Sequence, residues 1–105
     1  NKRVAVFSAS GQFQTSWPVQ AWNSDALDNK PYLDLDAQGR VYITDPEGFR
    51  VIVFSPEGKP LAVFGQAGPE EDAFGLPAGI ASGPDGALWV LDAGNNRLEK
   101  FGTIK

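Results

Sequence analysis

The stretch GRVYITDPEGFRVIVF (residues 39–54) returns 47 residues later as GALWVLDAGNNRLEKF (residues 86–101). Gly39 falls on Gly86, Val41 on Leu88, Tyr42 on Trp89, Ile43 on Val90, Asp45 on Asp92, Arg50 on Arg97 and Phe54 on Phe101, with no gap. The same spacing run backwards lays RVIVF (50–54) on RVAVF (3–7), and SPEG (55–58) on SASG (8–11). Apolar and turn positions recur while the positions between them drift. The fold must therefore be read from the unit and its copies.

Within one unit the β-rich runs are short and are separated by Gly, Pro, Asp and Asn clusters, as in antiparallel strands joined by tight turns. Four strands are predicted per unit. Strand a covers residues 32–36 and 79–83, and strand b covers 40–44 and 87–91. Strand c covers 3–8, 50–55 and 97–102, and strand d covers 13–17 and 60–64. Gly39, Gly86, Gly58 and Gly11 close the a–b and c–d turns, where a positive φ is needed. The longer d-to-a crossovers, 18–30 and 65–76, are rich in Gly, Pro and acids and read as irregular. A repeated four-stranded unit of this length is the signature of a β-propeller blade. The expected fold class is all-β, made of four-stranded antiparallel propeller blades. The expected domain plan is a partial blade over 1–17 (strands c and d), a full blade over 18–64, and a blade lacking its outer strand over 65–105.

The run PAGIASGPDGALWVLDAGNNRLEKF (77–101) resembles an NHL repeat, and residues 33–54 followed by SPEGKPLAVFG (55–65) have the same grammar. The resemblance implies a β-propeller whose innermost strand prefers small residues, and it leans towards an extracytoplasmic location. It implies no single function, because one propeller fold serves binding, scaffolding and catalysis.

The strand count gives c–d, a–b–c–d and a–b–c, whereas closed propellers carry about four to eight blades. An end blade leaves one apolar face in water, forfeiting roughly 1.5–3 kcal/mol for each large apolar side chain left uncovered. The ring is therefore expected to be completed by further copies of the chain or by the remaining blades of a longer parent. A chain that opens on Asn and contains no Met reads as an excised or processed piece.

Composition narrows the chemistry. The 105 residues hold 13 acidic and 9 basic side chains, a net charge of −4. The basic residues are scattered along the sequence, which argues against a nucleic-acid partner. The absence of Cys and His removes disulfides, thiolate metal sites and the commonest general base. The longest apolar runs are far too short to cross a membrane. No Ser/His or Cys/His pair is available for nucleophilic catalysis, and no Gly-rich loop opens a helix to hold phosphate.

Candidate contacts come from departures from the repeat. Tyr32 and Asp34 stand where the second unit has Gly79 and Ala81. They share one face of strand a, where they could meet a ligand at the ring's channel, or Asp34 could pair with an Arg of the next blade. Trp22, in the 18–30 crossover, could anchor a protein partner or cap a blade edge. Trp17 and Trp89 align with strand positions that pack between blades. Asp45 with Arg50, and Asp92 with Arg97, recur in each unit. They read as turn braces, with a polar grip on a ligand as the other possibility. Asp34, Asp36, Asn95 and Asn96 raise calcium, because six-bladed propeller hydrolases similar in architecture hold that ion. Two blades do not supply its six to eight oxygens, so no metal or cofactor is expected.

The reading that follows is a non-catalytic NHL-like propeller segment presenting a rigid surface to a protein or polar ligand. The alternatives are a fragment of a calcium-dependent propeller hydrolase, or a self-assembling structural or engineered repeat unit.

Overall fold

A computed structural model of the chain describes residues 3–19, 31–66, 68, 74–83 and 87–102. These hold nine strands: β1 (Arg3–Phe7), β2 (Phe13–Pro18), β3 (Leu33–Leu35), β4 (Val41–Asp45), β5 (Arg50–Phe54), β6 (Pro60–Phe64), β7 (Pro77–Ser82), β8 (Leu88–Asp92) and β9 (Arg97–Phe101). They form three antiparallel sheets in the orders β1-β2, β3-β4-β5-β6 and β7-β8-β9. The second and third are β-meanders and the first is a single hairpin, all consistent with the up-and-down topology of a propeller blade.

The turns repeat as closely as the strands. In both c–d turns a Ser accepts from the Gly three residues on: Gly11 N to Ser8 O at 2.9 Å, Gly58 N to Ser55 O at 3.0 Å. The Ser hydroxyls add a second clasp, from Gln12 N at 3.1 Å and from Lys59 N at 3.0 Å. Gly11 and Gly58 take φ of 89° and 92°, which an L side chain rarely adopts. Both c–d pairs also carry a bulge at one repeat position, Val6/Phe7 and Val53/Phe54. In the b–c loops, Phe49 (φ 59°) and Asn96 (φ 53°) are equivalent residues, both left-handed.

Strand a differs from the expected bounds in both copies. In the middle sheet it shortens to Leu33–Leu35, because the Asp36 carboxylate takes the turn amides of Gln38 and Arg40, both at 2.9 Å. In the third sheet it starts early, at Pro77. There the Asp92 carboxylate holds the Gly75 and Leu76 amides, and Ala93 N donates to Leu76 O at 3.0 Å.

Strand alternation gives each blade two faces. In the middle blade the front face carries Val41, Ile43, Ile52 and Phe54, and the back face carries Tyr42, Thr44, Val51 and Val53. The front face packs on Val4, Val6 and Trp17 of the first sheet to make one core. The back face packs on Leu88, Val90, Ile80 and Phe101 of the third to make a second. Every interface between sheets is thus back face against front face.

The two outermost faces have no blade against them within the described residues. At the start, the front-face residues Arg3, Ala5 and Phe7 are exposed, with Phe7 57 % open and in edge contact with Phe13 at 5.8 Å. At the end, the back-face residues Ala81, Trp89, Leu91, Leu98 and Lys100 are exposed. Trp89, the repeat equivalent of the buried Tyr42, does not pack between blades as its alignment suggests: no blade lies against its face among the described residues, it is 36 % exposed, and Lys100 Nζ lies over its ring at 5.2 Å. Leu33 and Leu35 are about half exposed for a related reason: they extend the middle blade's front face inwards, beyond the reach of β1 and β2.

Candidate functional site

Tyr32 and Asp34 lie on the back face of the middle blade, turned towards the third. Asp34 pairs across β3–β4 with Tyr42, whose side chain sits in the second core. Its carboxylate accepts the Ser82 backbone N–H at 2.6 Å, and the Ser82 hydroxyl donates to the Leu35 carbonyl. The partner of Asp34 in the next blade is therefore a backbone amide. The Tyr32 N–H donates to the Thr44 side-chain Oγ1 and the Tyr32 carbonyl accepts the Thr44 backbone N–H, both at 2.9 Å. The Tyr32 side chain remains half exposed. Thr44 itself is buried and its hydroxyl also reaches the Ala78 carbonyl at 3.3 Å. The innermost strands are thus tied by polar bonds from one blade to the next, with Tyr32 standing beside the seam. Trp22 lies outside the described residues.

A second cluster adjoins this seam. Asp36 forms an ion pair with Arg40 and accepts the Tyr42 hydroxyl at 2.9 Å. Burial pushes the Asp36 carboxyl up, but the bonds from Arg40, Tyr42 and Gln38 outweigh it and hold the group below its ordinary range. Tyr42 moves the other way: burial raises its pKa, and the neighbouring Asp36 raises it further. The signal was in the sequence, since Asp36 and Arg40 replace Gly83 and Ala87 of the other unit.

The b–c loops are braced as expected from repetition. Asp45 accepts Gly48 N at 3.1 Å and the Arg50 guanidinium at 2.8 Å. Asp92, fully buried, accepts amides of Gly75, Leu76 and Asn95 and the Asn95 side-chain amide, with Arg97 3.7 Å away. Burial raises its pKa, yet those donors overcome the penalty and keep the carboxyl below its ordinary range.

Beside Asp92 stands a residue that the sequence reading passed over. Glu99 occupies the position of Ile52 and Ala5 and is 8 % exposed. One carboxylate oxygen takes Arg97 Nε at 3.1 Å, while the other, Oε1, is buried without a hydrogen-bond partner. Burial pushes its pKa up; Arg97 opposes the shift, and the charge of Asp92 adds to it.

At the outer rim, where β9 has no fourth strand beside it among the described residues, a cleft of about 450 Å³ is lined by Val63, Phe64, Gly65, Gln66 and Phe101. At the other junction the equivalent of Phe64 is Trp17, and the Gly58 turn lies directly on its ring. The cleft is therefore the place that a c–d turn and outer strand fill elsewhere in the molecule. No group of three or more acidic side chains able to hold a metal occurs among the described residues.

Residues 74–101 match the family described as NHL repeat. Among solved structures, the chain resembles a streptogramin B lyase at a TM-score of 0.65 and 19 % identity, covering 94 % of this chain and 30 % of that one. It also resembles the virginiamycin B lyase of Staphylococcus aureus at a TM-score of 0.57 and 16 % identity, covering 99 % of this chain and 35 % of that one. The chain thus spans about a third of the length of these structures, and the likeness establishes a partial β-propeller fold. No curated protein matches the sequence significantly.

Proposed function

We propose that the chain is a non-catalytic segment of a β-propeller, a rigid scaffold whose ring is completed by further blades and whose rim binds a protein or a polar ligand. The observation that carries this reading is the pair of uncovered end faces. Phe7 opens a front face at one end, and Trp89, Leu91 and Leu98 open a back face at the other. Both are repeat equivalents of surfaces that are buried at the internal junctions.

The carboxylates support a structural role, since Asp34, Asp36, Asp45 and Asp92 are each engaged by hydrogen-bond donors inside the protein. The proposed contacts are Tyr32, half exposed beside the inter-blade seam, Asp34 on the same face two residues on, and Trp22 of the 18–30 stretch. The catalytic names of the similar structures belong to those proteins, because likeness at this identity carries the fold alone.

The test is Leu91→Asp, which places a charge on the open back face. The reading expects the isolated chain to assemble, and the variant to lose assembly while keeping an all-β far-UV spectrum. A variant that assembles like the wild type would overturn it.

A further inference from the structure

The Asp–Arg brace of the b–c loop recurs, but in the third blade a second carboxylate has entered it. In the middle blade Ile52 stands at the Glu99 position, and Arg50 Nε reaches Asp45 at 2.8 Å. In the third blade Arg97 Nε turns to Glu99 at 3.1 Å and lies 3.7 Å from Asp92. Asp92 and Glu99 are diagonal neighbours on one face of β8 and β9, since Asp92 pairs with Arg97 and Val90 with Glu99. That face is turned towards the middle blade, so the junction that buries both carboxylates is internal.

The two differ in how their charge is met. Asp92 Oδ1 accepts the Gly75, Leu76 and Asn95 amides, and Oδ2 accepts Asn95 Nδ2. Glu99 has Arg97 as its donor, and its buried Oε1 has none. A proton on Glu99 cancels one of two adjacent buried charges and turns an acceptor into a donor that Asp92 can accept. Burial above all, with the hydrogen bond and charge of Asp92 adding to it, pushes the Glu99 pKa up against the pull of Arg97.

Asp92 is also what ties down the crossover that enters the third blade. It holds Gly75 and Leu76 directly at one end. At the other, Asn95 Nδ2 donates both to Asp92 and to the Gly68 carbonyl, each at 2.9 Å. We propose that Glu99 is a proton switch on this anchor. Protonated, it donates to Asp92 and the crossover stays tied. When its proton passes to solvent, a second negative charge faces Asp92, Arg97 is drawn away from it, and the Gly68 and Gly75–Leu76 ends loosen. The switch lies inside the described junction and is independent of what completes the ring.

Few other titratable groups face this junction among the described side chains. The back face of the middle blade carries Tyr32, Asp34 and Tyr42, of which Asp34 is engaged by the Ser82 amide and Tyr42 by Asp36. β7 carries none. On β8 and β9, Asp92 and Arg97 share the face of Glu99, while Lys100 lies on the opposite one. Glu70, Glu71 and Asp72 of the crossover lie outside the described residues.

A carboxyl raised in the anchored state stabilises that state fully below the ordinary carboxylate range, and the contribution is lost as pH rises through its folded value. The test is amide exchange by mass spectrometry on the full chain across that range, with the 45–50 loop of the middle blade as internal reference. Protection at 74–76 and 93–96 should fall about tenfold or more relative to that loop as pH rises, equivalent to one pKa unit or more. In Glu99→Ile, the middle blade's own residue at this place, and in Glu99→Gln the ratio should stay constant. A constant ratio in the wild type, or an equal fall in both variants, overturns the switch. A carbon-13 titration gives a second readout: the Glu99 carboxyl carbon should keep its acid-form shift after the exposed carboxylates have ionised. Titration of Glu99 together with them overturns the proposal.

Discussion

Asp34 and Ser82, 48 residues apart in sequence, share a hydrogen bond of 2.6 Å that ties the innermost strand of one blade to that of the next. The acceptor is a carboxylate and the donor a backbone amide, so the bond aligns two strands that exchange no ladder bonds. Asp34→Ala leaves that amide unpaired at a half-buried seam. The expected loss is about 1–3 kcal/mol of stability, read by urea unfolding. An unchanged midpoint would make Asp34 free for a ligand.

Asp92 carries more. It is fully buried and serves the amides of Gly75, Leu76 and Asn95 together with the Asn95 side chain. Asp92→Ala should cost about 3 kcal/mol or more, because several donors lose their acceptor at once and Arg97 loses its neighbour. Asp45, with fewer donors and a more open Arg50, should cost less. Equal losses at the two sites would contradict the difference in their environments.

Acid titration should separate the carboxylates by sign. Asp36 and Asp92 have lowered pKa values in the fold, so they contribute stability above the ordinary carboxylate range that is lost as pH falls through their folded values. Glu99 is raised, so the folded state holds its proton more tightly and stability falls as pH rises through its folded value. Glu99→Gln should therefore stabilise the unassembled chain at neutral pH, and the gain should fade once acid protonates Glu99 itself. Melting temperatures of both proteins across the acid range check this, and a gain independent of pH would contradict it.

Calcium should leave the melting temperature unchanged at millimolar concentration. Asp34, Asp36 and Asn95, which raise calcium in the sequence, are held respectively by Ser82, by Arg40 and Tyr42, and by Asp92. A rise following the mass-action form for a native-state ligand would point instead to a calcium-dependent hydrolase fragment.

Most of the fold was legible because a propeller blade is written locally. The Ser–x–x–Gly clasps at 8–11 and 55–58, the short β-rich runs at 50–54 and 97–101, and the 47-residue register specify strands, turns and pairing without long-range information. The bounds of strand a were not legible. They depend on whether a carboxylate reaches the turn amides after β3, as Asp36 does, or the amides before β7, as Asp92 does.

The candidate site was legible only in part. Tyr32 and Asp34 were found as departures from the repeat, but the same test applied along strand c would also have found Glu99 in place of Ile52. Which face a departure occupies decides its meaning, and that needs the stacking order of the blades. Asp34 faces a neighbour and Leu35 faces away from it, although they adjoin in sequence.

The most direct measurement is the absolute mass of the isolated chain in solution by light scattering, recorded with its far-UV spectrum. The account predicts an all-β particle at a discrete multiple of the 11.3 kDa protomer, because Phe7, Trp89, Leu91 and Leu98 mark faces that blades normally cover. A cooperatively folded monomer that persists at high concentration would contradict it, since its end faces would then be stable in water without a partner.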